Sequence, residues 1–266
     1  MNADDPSTIQ TYAQAEAFLM GFVNYEAASK WPRYNTRNFD LERFSALLDR
    51  LGAPHRRPGL IHVAGTKGKG STCALLGAIL SAAGIKTGVY ASPHITSFCE
   101  RIRIDGRNIS EESFARLAAR AAAALHPSAA SGATGAIDPA GPERNYRTTF
   151  ELLTAMALTH FASENCGAAV IETGLGGRLD ATNVIAPALT IITALGLDHQ
   201  HVLGPTLADI AREKGGILKP GVPCVVASQT EAAERESIPV IEAIAARLPA
   251  PAAPAASHGP AGATRL

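Results

Sequence analysis

The amino-acid sequence predicts an α/β fold with a mainly parallel sheet and helices on both faces. Short apolar segments alternate with longer amphipathic segments along most of the chain, as in the βα units that build parallel sheets. One such unit, at residues 60–83, joins an apolar strand to a helix through a glycine-rich turn. The length of 266 residues suits one large α/β domain, or such a domain with the beginning of a second.

The individual elements are predicted from periodicity and from the residues that cap or interrupt it. The predicted helices cover 8–29, 40–51, 71–83, 111–125, 148–163 and 206–218. The predicted strands cover 60–64, 87–91, 101–104, 168–172, 189–194 and 222–227. The segment 98–107 departs from the parallel pattern, because Arg101-Ile-Arg-Ile104 alternates polar and apolar residues and then meets the turn pair Asp105-Gly106. A half-exposed hairpin is predicted there.

Two segments are predicted to lie outside the packed structure. Residues 126–145 are rich in Ala, Gly, Ser and Pro, which indicates a surface insertion. From Leu248 onward Pro and Ala dominate, and such a composition cannot build a core. We therefore assign residues 1–230 to one domain and 231–266 to a truncated linker and low-complexity tail.

Composition and charge argue against several functional classes. The chain has 24 basic and 24 acidic residues, so we expect no nucleic-acid partner. The four cysteines are isolated, without a C-x-x-C pair, which is typical of reduced thiols in a cytosolic protein. The N-terminus has no signal-peptide pattern, and no apolar stretch is long enough to span a bilayer. We expect a cytoplasmic monomer without a membrane partner.

Residues 60–71, Leu-Ile-His-Val-Ala-Gly-Thr-Lys-Gly-Lys-Gly-Ser, are the most informative stretch of the chain. Glycines let backbone N–H groups close on phosphate oxygens, a helix N-terminus adds partial positive charge, and Lys69 adds a full charge. The spacing is not that of the standard phosphate-binding loop, because Gly70 separates the lysine from the hydroxyl of Ser71. An ordinary βα turn is the alternative. A phosphate site is the better interpretation.

Polar residues follow three predicted strands. Ser92-Pro93-His94 follows one strand, Glu172 ends another, and Asp198-His199 follows a third. Ligands of open parallel sheets bind beyond the carboxyl ends of the strands, so these side chains should meet the glycine-rich loop. A carboxylate beside a phosphate loop is the usual way to hold Mg²⁺. Each residue also has a structural alternative: Ser92-Pro93 as a turn, Glu172 as a helix cap and His199 as a loop histidine with a backbone partner. Their joint placement at one sheet edge with the glycine-rich loop favours a ligand-binding site.

Lys214 lies on the apolar stripe of the helix predicted at 206–218. A lysine on such a stripe either extends its amine into solvent or is held there for a function. Extension of the amine into solvent is the more common of the two.

Five motifs of the chain, taken in order, resemble those of one enzyme family. They are Val63-Ala-Gly-Thr-Lys-Gly-Lys-Gly-Ser-Thr, Ala91-Ser-Pro-His with Glu100-Arg-Ile-Arg, Glu172-Thr-Gly-Leu-Gly-Gly-Arg-Leu-Asp-Ala-Thr-Asn, Leu197-Asp-His with Leu203-Gly-Pro, and Arg212-Glu-Lys-Gly-Gly-Ile-Leu-Lys-Pro. Together they resemble folylpolyglutamate synthase/dihydrofolate synthase, a family of the Mur ligase superfamily, from about Thr8 to Ala227. The resemblance implies a P-loop NTPase-like Mur ligase central domain in residues 1–230. It also implies an ATP-dependent ligase that adds L-glutamate to dihydropteroate or folate through an acyl phosphate.

The resemblance further implies roles for particular residues. ATP phosphates would bind at Thr66, Lys67, Gly68, Lys69, Gly70 and Ser71. Mg²⁺ would be held by Ser92, Glu172 and His199. Lys69, His199 and Lys214 would be catalytic, and Lys214 matches a lysine that is carbamylated in this family. The pteroate pocket would be formed by Thr36, Arg37, Asn38, Phe39, Thr148, Thr149, Phe150, Glu151 and Leu179.

The chain departs from the family in two respects. The family's loop usually has Asn where this chain has Lys67, which replaces an amide that can donate and accept with a donor only. Family members also carry a C-terminal domain that supplies part of the ATP site and much of the glutamate site, and we expect this domain to be missing beyond about residue 230. The alternative to an active ligase is therefore a truncated, non-catalytic nucleotide-binding fragment.

Overall fold

The computed structural model describes residues 8–25, 35–36, 39–57, 59–125 and 147–249. Within these ranges the strands are β1 Leu60–Ala64, β2 Thr87–Tyr90, β3 Ile102–Ile104, β4 Arg107–Asn108, β5 Ala168–Glu172, β6 Leu189–Ile192 and β7 Cys224–Val226. They form one sheet in the order β4-β3-β2-β5-β1-β6-β7. Neighbouring strands among β2, β5, β1, β6 and β7 are parallel, so the predicted mainly parallel sheet is confirmed.

The hairpin predicted at 98–107 is present in part: residues 98–101 form a 3₁₀ helix, and the hairpin is made by β3 and β4. Strand β3 pairs antiparallel with β2 and with β4 at one edge of the sheet. Asp105 and Gly106, which join β3 to β4, have φ angles of 48° and 76°. Positive φ at both central residues is the condition for the tight turn whose twist matches a two-stranded hairpin.

The helices of the described ranges are α1 Tyr12–Met20, α2 Leu41–Arg50, α3 Lys69–Ala82, α4 Glu111–Leu125, α5 Thr149–Ser163, α6 Gln200–Leu203, α7 Leu207–Gly215 and α8 Glu231–Arg247. Capping boxes begin α5, at Thr148 with Glu151, and α7, at Thr206 with Asp209. Helix α1 is shorter than the helical region predicted at 8–29, because the helix ends at Gly21. None of the described helices is long and apolar enough to cross a membrane.

The two faces of the sheet are packed unequally. Alternate strand residues such as Tyr90 and Ile171 belong to a large core with α1, α2, α4 and α5. On the same face, near β6 and β7, a smaller core holds residues of α7 and α8. The opposite face carries Val63, Val89 and Val170, which pack with residues of α3. Helix α3, which follows the glycine-rich loop, therefore packs on the face opposite to α1, α2, α4, α5, α7 and α8.

The linker predicted from residue 231 must be corrected. Residues 231–247 form α8, which begins at the cap Thr230 and buries Ala233, Ser237 and Ile241. These buried residues recur four positions apart, and Pro239 within the helix obscures that period in the sequence. The domain boundary at 230 stays a prediction. The insertion predicted at 126–145 and the tail from residue 250 lie outside the described residues.

Candidate active site

The glycine-rich loop is held between β1 and α3 by contacts with the segment after β6. The backbone N–H groups of Thr66 and Lys67 donate to the carbonyl of Ala194 over 2.9 and 3.1 Å. The hydroxyl of Thr66 donates to the carbonyl of Gly196 and accepts from its N–H, both over 3.1 Å. Gly65 has a φ of +155°, and a Cβ there would lie 1.7 Å from Oγ1 of Thr193. Only glycine fits this close approach.

Helix α3 begins two residues earlier than predicted, at Lys69 instead of Ser71. Gly68, with a φ of +85°, is the left-handed cap that precedes the helix. Because a helix N-terminus carries partial positive charge and free N–H groups, the ammonium of Lys69 adds to a charge that is already present. The loop thus has the features of an anion site.

Glu172 lies beside Lys69 at the end of β5. Its Oε1 is 4.0 Å from Nζ of Lys69, and its side chain is 4% exposed. The backbone N–H of Ser92 donates to its Oε2 over 3.2 Å. Burial raises the pKa of Glu172, and the charge of Lys69 opposes that shift. A buried carboxylate with a raised pKa is a suitable ligand for a hard cation, because the cation would stabilise its charged form.

His199, the third predicted metal ligand, follows β6 and precedes α6 in a left-handed conformation, with a φ of 49°. Its backbone N–H donates to Oδ1 of Asp198 over 2.8 Å. Its ring is about half exposed and lines the same cavity as Ser92 and Lys69. Among the described residues no three His, Cys, Asp or Glu side chains form a metal-binding group. A cation here would thus depend on the mixed set of hydroxyl, carboxylate and imidazole that the sequence predicts.

Lys214 is buried, with 5% of its surface exposed, so its amine does not extend into solvent. Its Nζ donates to the carbonyl of Gly65 over 2.6 Å, and this bond ties α7 to the start of the glycine-rich loop. Burial and, secondly, the positive charge of Lys69 lower the pKa of Lys214 to about 7. A substantial neutral fraction near pH 7 makes the amine a nucleophile, which an ordinary lysine is not.

A cavity of about 400 Å³ lies beside the loop, and Lys69 is part of its wall. Its lining residues are Asn24, Tyr25, Phe39, Leu41, Lys69, Ser92, Pro93, Thr148, Phe150, Glu151, Gly174, Leu175, Leu179, Asp180, Ala181 and His199. The sequence predicted five of these as pteroate-binding: Phe39, Thr148, Phe150, Glu151 and Leu179.

The remaining pteroate predictions have different outcomes. Thr149 does not line the cavity, because it is 2% exposed and its hydroxyl donates to the carbonyl of Leu19 over 3.0 Å; its role in pteroate binding stays a prediction. Thr36 is described but does not line the cavity. Arg37 and Asn38 lie outside the described residues.

Glu151 combines a structural contact with an unusual charge state. Its Oε2 accepts from the N–H of Thr148 over 2.8 Å in the capping box, and its Oε1 lies 3.6 Å from Nη1 of Arg147. Burial raises the pKa of Glu151 to about 7, although Arg147 and the bonds from Thr148 oppose the shift. Burial and, secondly, the charge of Glu151 raise the pKa of the neighbouring Tyr25. The cavity therefore holds a carboxyl group that can be neutral or charged near pH 7.

Sequence reasoning missed Asp180, which is buried in the wall of the cavity. Its Oδ2 accepts from the N–H groups of Gly174 and Leu175 over 3.0 and 2.9 Å. Its Oδ1 accepts from the N–H and the hydroxyl of Thr182. The signal was available, since an aspartate at the end of a glycine-rich turn commonly accepts hydrogen bonds from the backbone of that turn.

Curated relatives of the chain are described as folylpolyglutamate synthases, dihydrofolate synthases or both. No protein-family model matches the chain. The chain is 38% identical over 234 residues to dihydrofolate synthase/folylpolyglutamate synthase of Bacillus subtilis, covering 86% of this chain and 51% of that protein. It is 38% identical over 191 residues to the Escherichia coli protein of the same description, covering 72% and 41%. It is 42% identical over 176 residues to mitochondrial folylpolyglutamate synthase of Homo sapiens, covering 66% and 28%.

Solved structures that align with the chain are of folylpolyglutamate synthase (FPGS) and FolC. An FPGS–AMPPCP complex aligns with a TM-score of 0.73 at 34% identity, covering 89% of this chain and 51% of that one. Escherichia coli FolC in complex with DHPP and ADP aligns with a TM-score of 0.70 at 31% identity, covering 90% and 50%. The chain spans about half the length of the relatives that it matches most fully. Over that matched half, the predicted fold and the predicted resemblance are both confirmed, and the chain belongs to the folylpolyglutamate synthase/dihydrofolate synthase family.

Proposed function

We propose that the chain is the nucleotide- and pteroate-binding part of an ATP-dependent ligase that adds L-glutamate to dihydropteroate or folate. The observation that carries this proposal is the shared cavity: Lys69 of the glycine-rich loop lines the same space as five residues predicted to bind pteroate. A carboxylate substrate held there would lie close to the terminal phosphate of a nucleotide held by the loop. That proximity is what phosphoryl transfer to the substrate requires.

ATP would bind with its phosphates against residues 66–71. Lys69 and the N-terminus of α3 supply the positive charge, and the loop is kept in shape by its bonds to Ala194 and Gly196. The solved relatives that contain AMPPCP or ADP support this assignment. Ser92, Glu172 and His199 would hold Mg²⁺, which would neutralise charge on the transferring phosphoryl group.

The pteroate moiety would bind among Tyr25, Phe39, Phe150 and Leu179. Aromatic and apolar side chains suit a flat heteroaromatic ring, and Glu151 can accept hydrogen bonds from its ring N–H and amino groups. A relative solved with folate and another solved with DHPP support a ligand of this class.

The reaction we propose has two steps. The γ-phosphoryl group of ATP passes to the substrate carboxylate, which gives an acyl phosphate and ADP. The amine of glutamate then attacks the carbonyl carbon, and phosphate leaves as the amide forms and the amine loses its proton. Lys69 would stabilise the charge that spreads over the phosphoryl oxygens in the first step.

Lys214 would act as a carbamate in this scheme. Its neutral amine would add CO₂ and release one proton, so that a buried cation becomes an anion. The buried position beside the carbonyl of Gly65 and the lowered pKa of Lys214 support this proposal, because only the neutral amine reacts with CO₂. A carbamate at this position would add a carboxylate-like group next to the loop.

Nucleotide binding without ligation is the second candidate, and the observation that favours it is that the residues assigned above serve a nucleotide loop and a pteroate cavity, and none of them is assigned to glutamate. Calorimetric titration of purified 1–266 with ATP and Mg²⁺, and with folate and dihydropteroate, tests the binding proposal. Incorporation of labelled glutamate into either substrate tests the ligase proposal. Binding without incorporation supports the second candidate, and incorporation supports the ligase. Failure to bind any of these ligands refutes both. Sedimentation of the same sample tests the proposed monomer.

A further inference from the structure

A histidine occupies the centre of the strand that leads into the glycine-rich loop. His62 lies between Ile61 and Val63 in β1, is fully buried, and pairs in register with Ile171 of β5 and Thr190 of β6. Its Nδ1 has no hydrogen-bond partner within the described ranges. A residue placed there only for packing would be apolar, since burying an unpaired polar atom is costly.

A polar contact links His62 to a distant part of the described chain. Nε2 of His62 lies 2.8 Å from Oγ1 of Thr182, which is 120 residues away in the chain. The hydroxyl of Thr182 is bonded in turn to Oδ1 of Asp180, and Oδ2 of Asp180 accepts from the backbone N–H groups of Gly174 and Leu175. A continuous chain of hydrogen bonds therefore runs from β1 to the cavity wall.

The direction of each bond follows from the donors available. Asp180 accepts from the N–H groups of Gly174, Leu175 and Thr182, and its Oδ1 also accepts from the hydroxyl of Thr182. Burial raises the pKa of Asp180, and these hydrogen bonds oppose that shift. The lone pair of Thr182 Oγ1 is then free to accept from His62, which must carry its proton on Nε2. Burial and the charge of Lys219 lower the pKa of His62 to about 3, which leaves the ring neutral with one proton to donate.

We propose that His62 is a positioning residue for the substrate cavity. Through Thr182 it fixes the orientation of Asp180, and Asp180 fixes the backbone of Gly174 and Leu175, which line the cavity. Because β1 continues directly into Gly65, the strand that leads into the glycine-rich loop also supports the cavity wall at Gly174 and Leu175. Only the identity of the ligand in this inference, a pteroate-type molecule, rests on the proposed function.

Amide hydrogen exchange tests the network without any ligand. Thr182→Val removes the hydroxyl and keeps the shape, so exchange at Gly174 and Leu175 should become about tenfold faster. Thr190→Val is the matched control, because Thr190 is equally buried and its hydroxyl donates to the carbonyl of Pro223, outside the network. Thr182→Ser keeps the hydroxyl and should restore protection. Equal exchange at 174–175 in Thr182→Val and Thr190→Val would overturn the inference.

Ligand affinity tests the consequence for the cavity. Folate and dihydropteroate should bind about tenfold more weakly to Thr182→Val than to Thr190→Val, while ATP affinity stays the same. His62→Gln keeps an N–H near the position of Nε2 and should bind normally, whereas His62→Leu should bind as Thr182→Val does. The double variant of His62→Leu with Thr182→Val should show no further loss, because both changes break one chain.

The outcomes separate this inference from the proposed function. If the unmodified chain binds neither folate nor dihydropteroate, the proposed function fails, and the exchange measurement still decides whether His62 supports the wall. If the unmodified chain binds but the losses in the double variant add, His62 does not act through Thr182 and the inference fails. Thermal unfolding of each variant identifies any that do not fold, and Thr182→Ser and His62→Gln then carry the test.

Discussion

Replacing Lys69 by alanine is the sharpest perturbation of the proposed nucleotide site. The ammonium is at the first residue of α3, its side chain is 18% exposed, and it lies 4.0 Å from the carboxylate of Glu172. An ammonium and a phosphate charge separated by about 4 Å interact by about 4 kcal/mol at an effective dielectric constant of about 20. Solvent screening and competition from Glu172 reduce this interaction energy. We therefore expect Lys69→Ala to lose about 2 kcal/mol of binding free energy, or about thirtyfold in ATP affinity.

Lys67 provides the matched control for this experiment. It carries the same charge two residues earlier in the loop, but its side chain is exposed. Lys67→Ala should therefore weaken ATP binding only about threefold, as expected for a screened charge. Calorimetric titration measures the affinities, phosphate release measures any turnover, and circular dichroism verifies the fold. Equal losses in the two variants would show a general charge effect, and near-normal binding by Lys69→Ala would refute its assignment to the phosphate site.

Three further predictions concern the metal, the buried lysine and the loop. Glu172→Gln should weaken nucleotide binding much more in Mg²⁺ than in EDTA, because the amide lacks the charge that a hard cation prefers; equal losses in titrations under both conditions would make Glu172 structural. Because the pKa of Lys214 is lowered to about 7 in the folded protein, the unfolded chain binds more protons than the folded one above that pH. The free energy of unfolding, compared with that of Lys214→Met, should therefore rise by about 1 kcal/mol per pH unit between about pH 7 and pH 10. Parallel urea-unfolding curves for the two proteins across that range would contradict the lowered pKa. Gly65→Ala should cost about 3 kcal/mol because its Cβ would overlap Thr193, whereas Gly68→Ala, with open space around it, should cost about 1 kcal/mol; similar urea midpoints for both would exclude the overlap as the cause.

The fold was largely predictable because its signals are local. Strands β1 and β5 begin and end at their predicted residues, since each is a short apolar run bounded by glycine or polar residues. The β3–β4 hairpin was predictable from one turn pair whose backbone conformation depends on its own residues. Helix α8 was not predicted, because its Ala- and Glu-rich sequence contains Pro239 and precedes a low-complexity tail. Its stability comes from packing against α7, which no local pattern records.

The site was predictable in its residue types and less so in its contacts. The loop, Glu172 and Ser92 could be placed together because parallel strands end at one edge of a sheet. The burial of Lys214 could not be decided from the stripe on α7, since solvent exposure depends on what packs over the helix. The burial of Thr149 could not be decided from the sequence for the same reason, since its hydroxyl donates to the carbonyl of Leu19 in another helix.

The sequence by itself therefore determined the α/β class, the order of its main elements, and the glycine-rich loop with the chemistry that its residues allow. These depend on periodicity and backbone conformation within a few residues. Tertiary structure alone decided that Lys214 donates to Gly65 and that His62 reaches Asp180 through Thr182. Such contacts join residues more than a hundred positions apart, and the desolvation that shifts their pKa values exists only once the chain is packed.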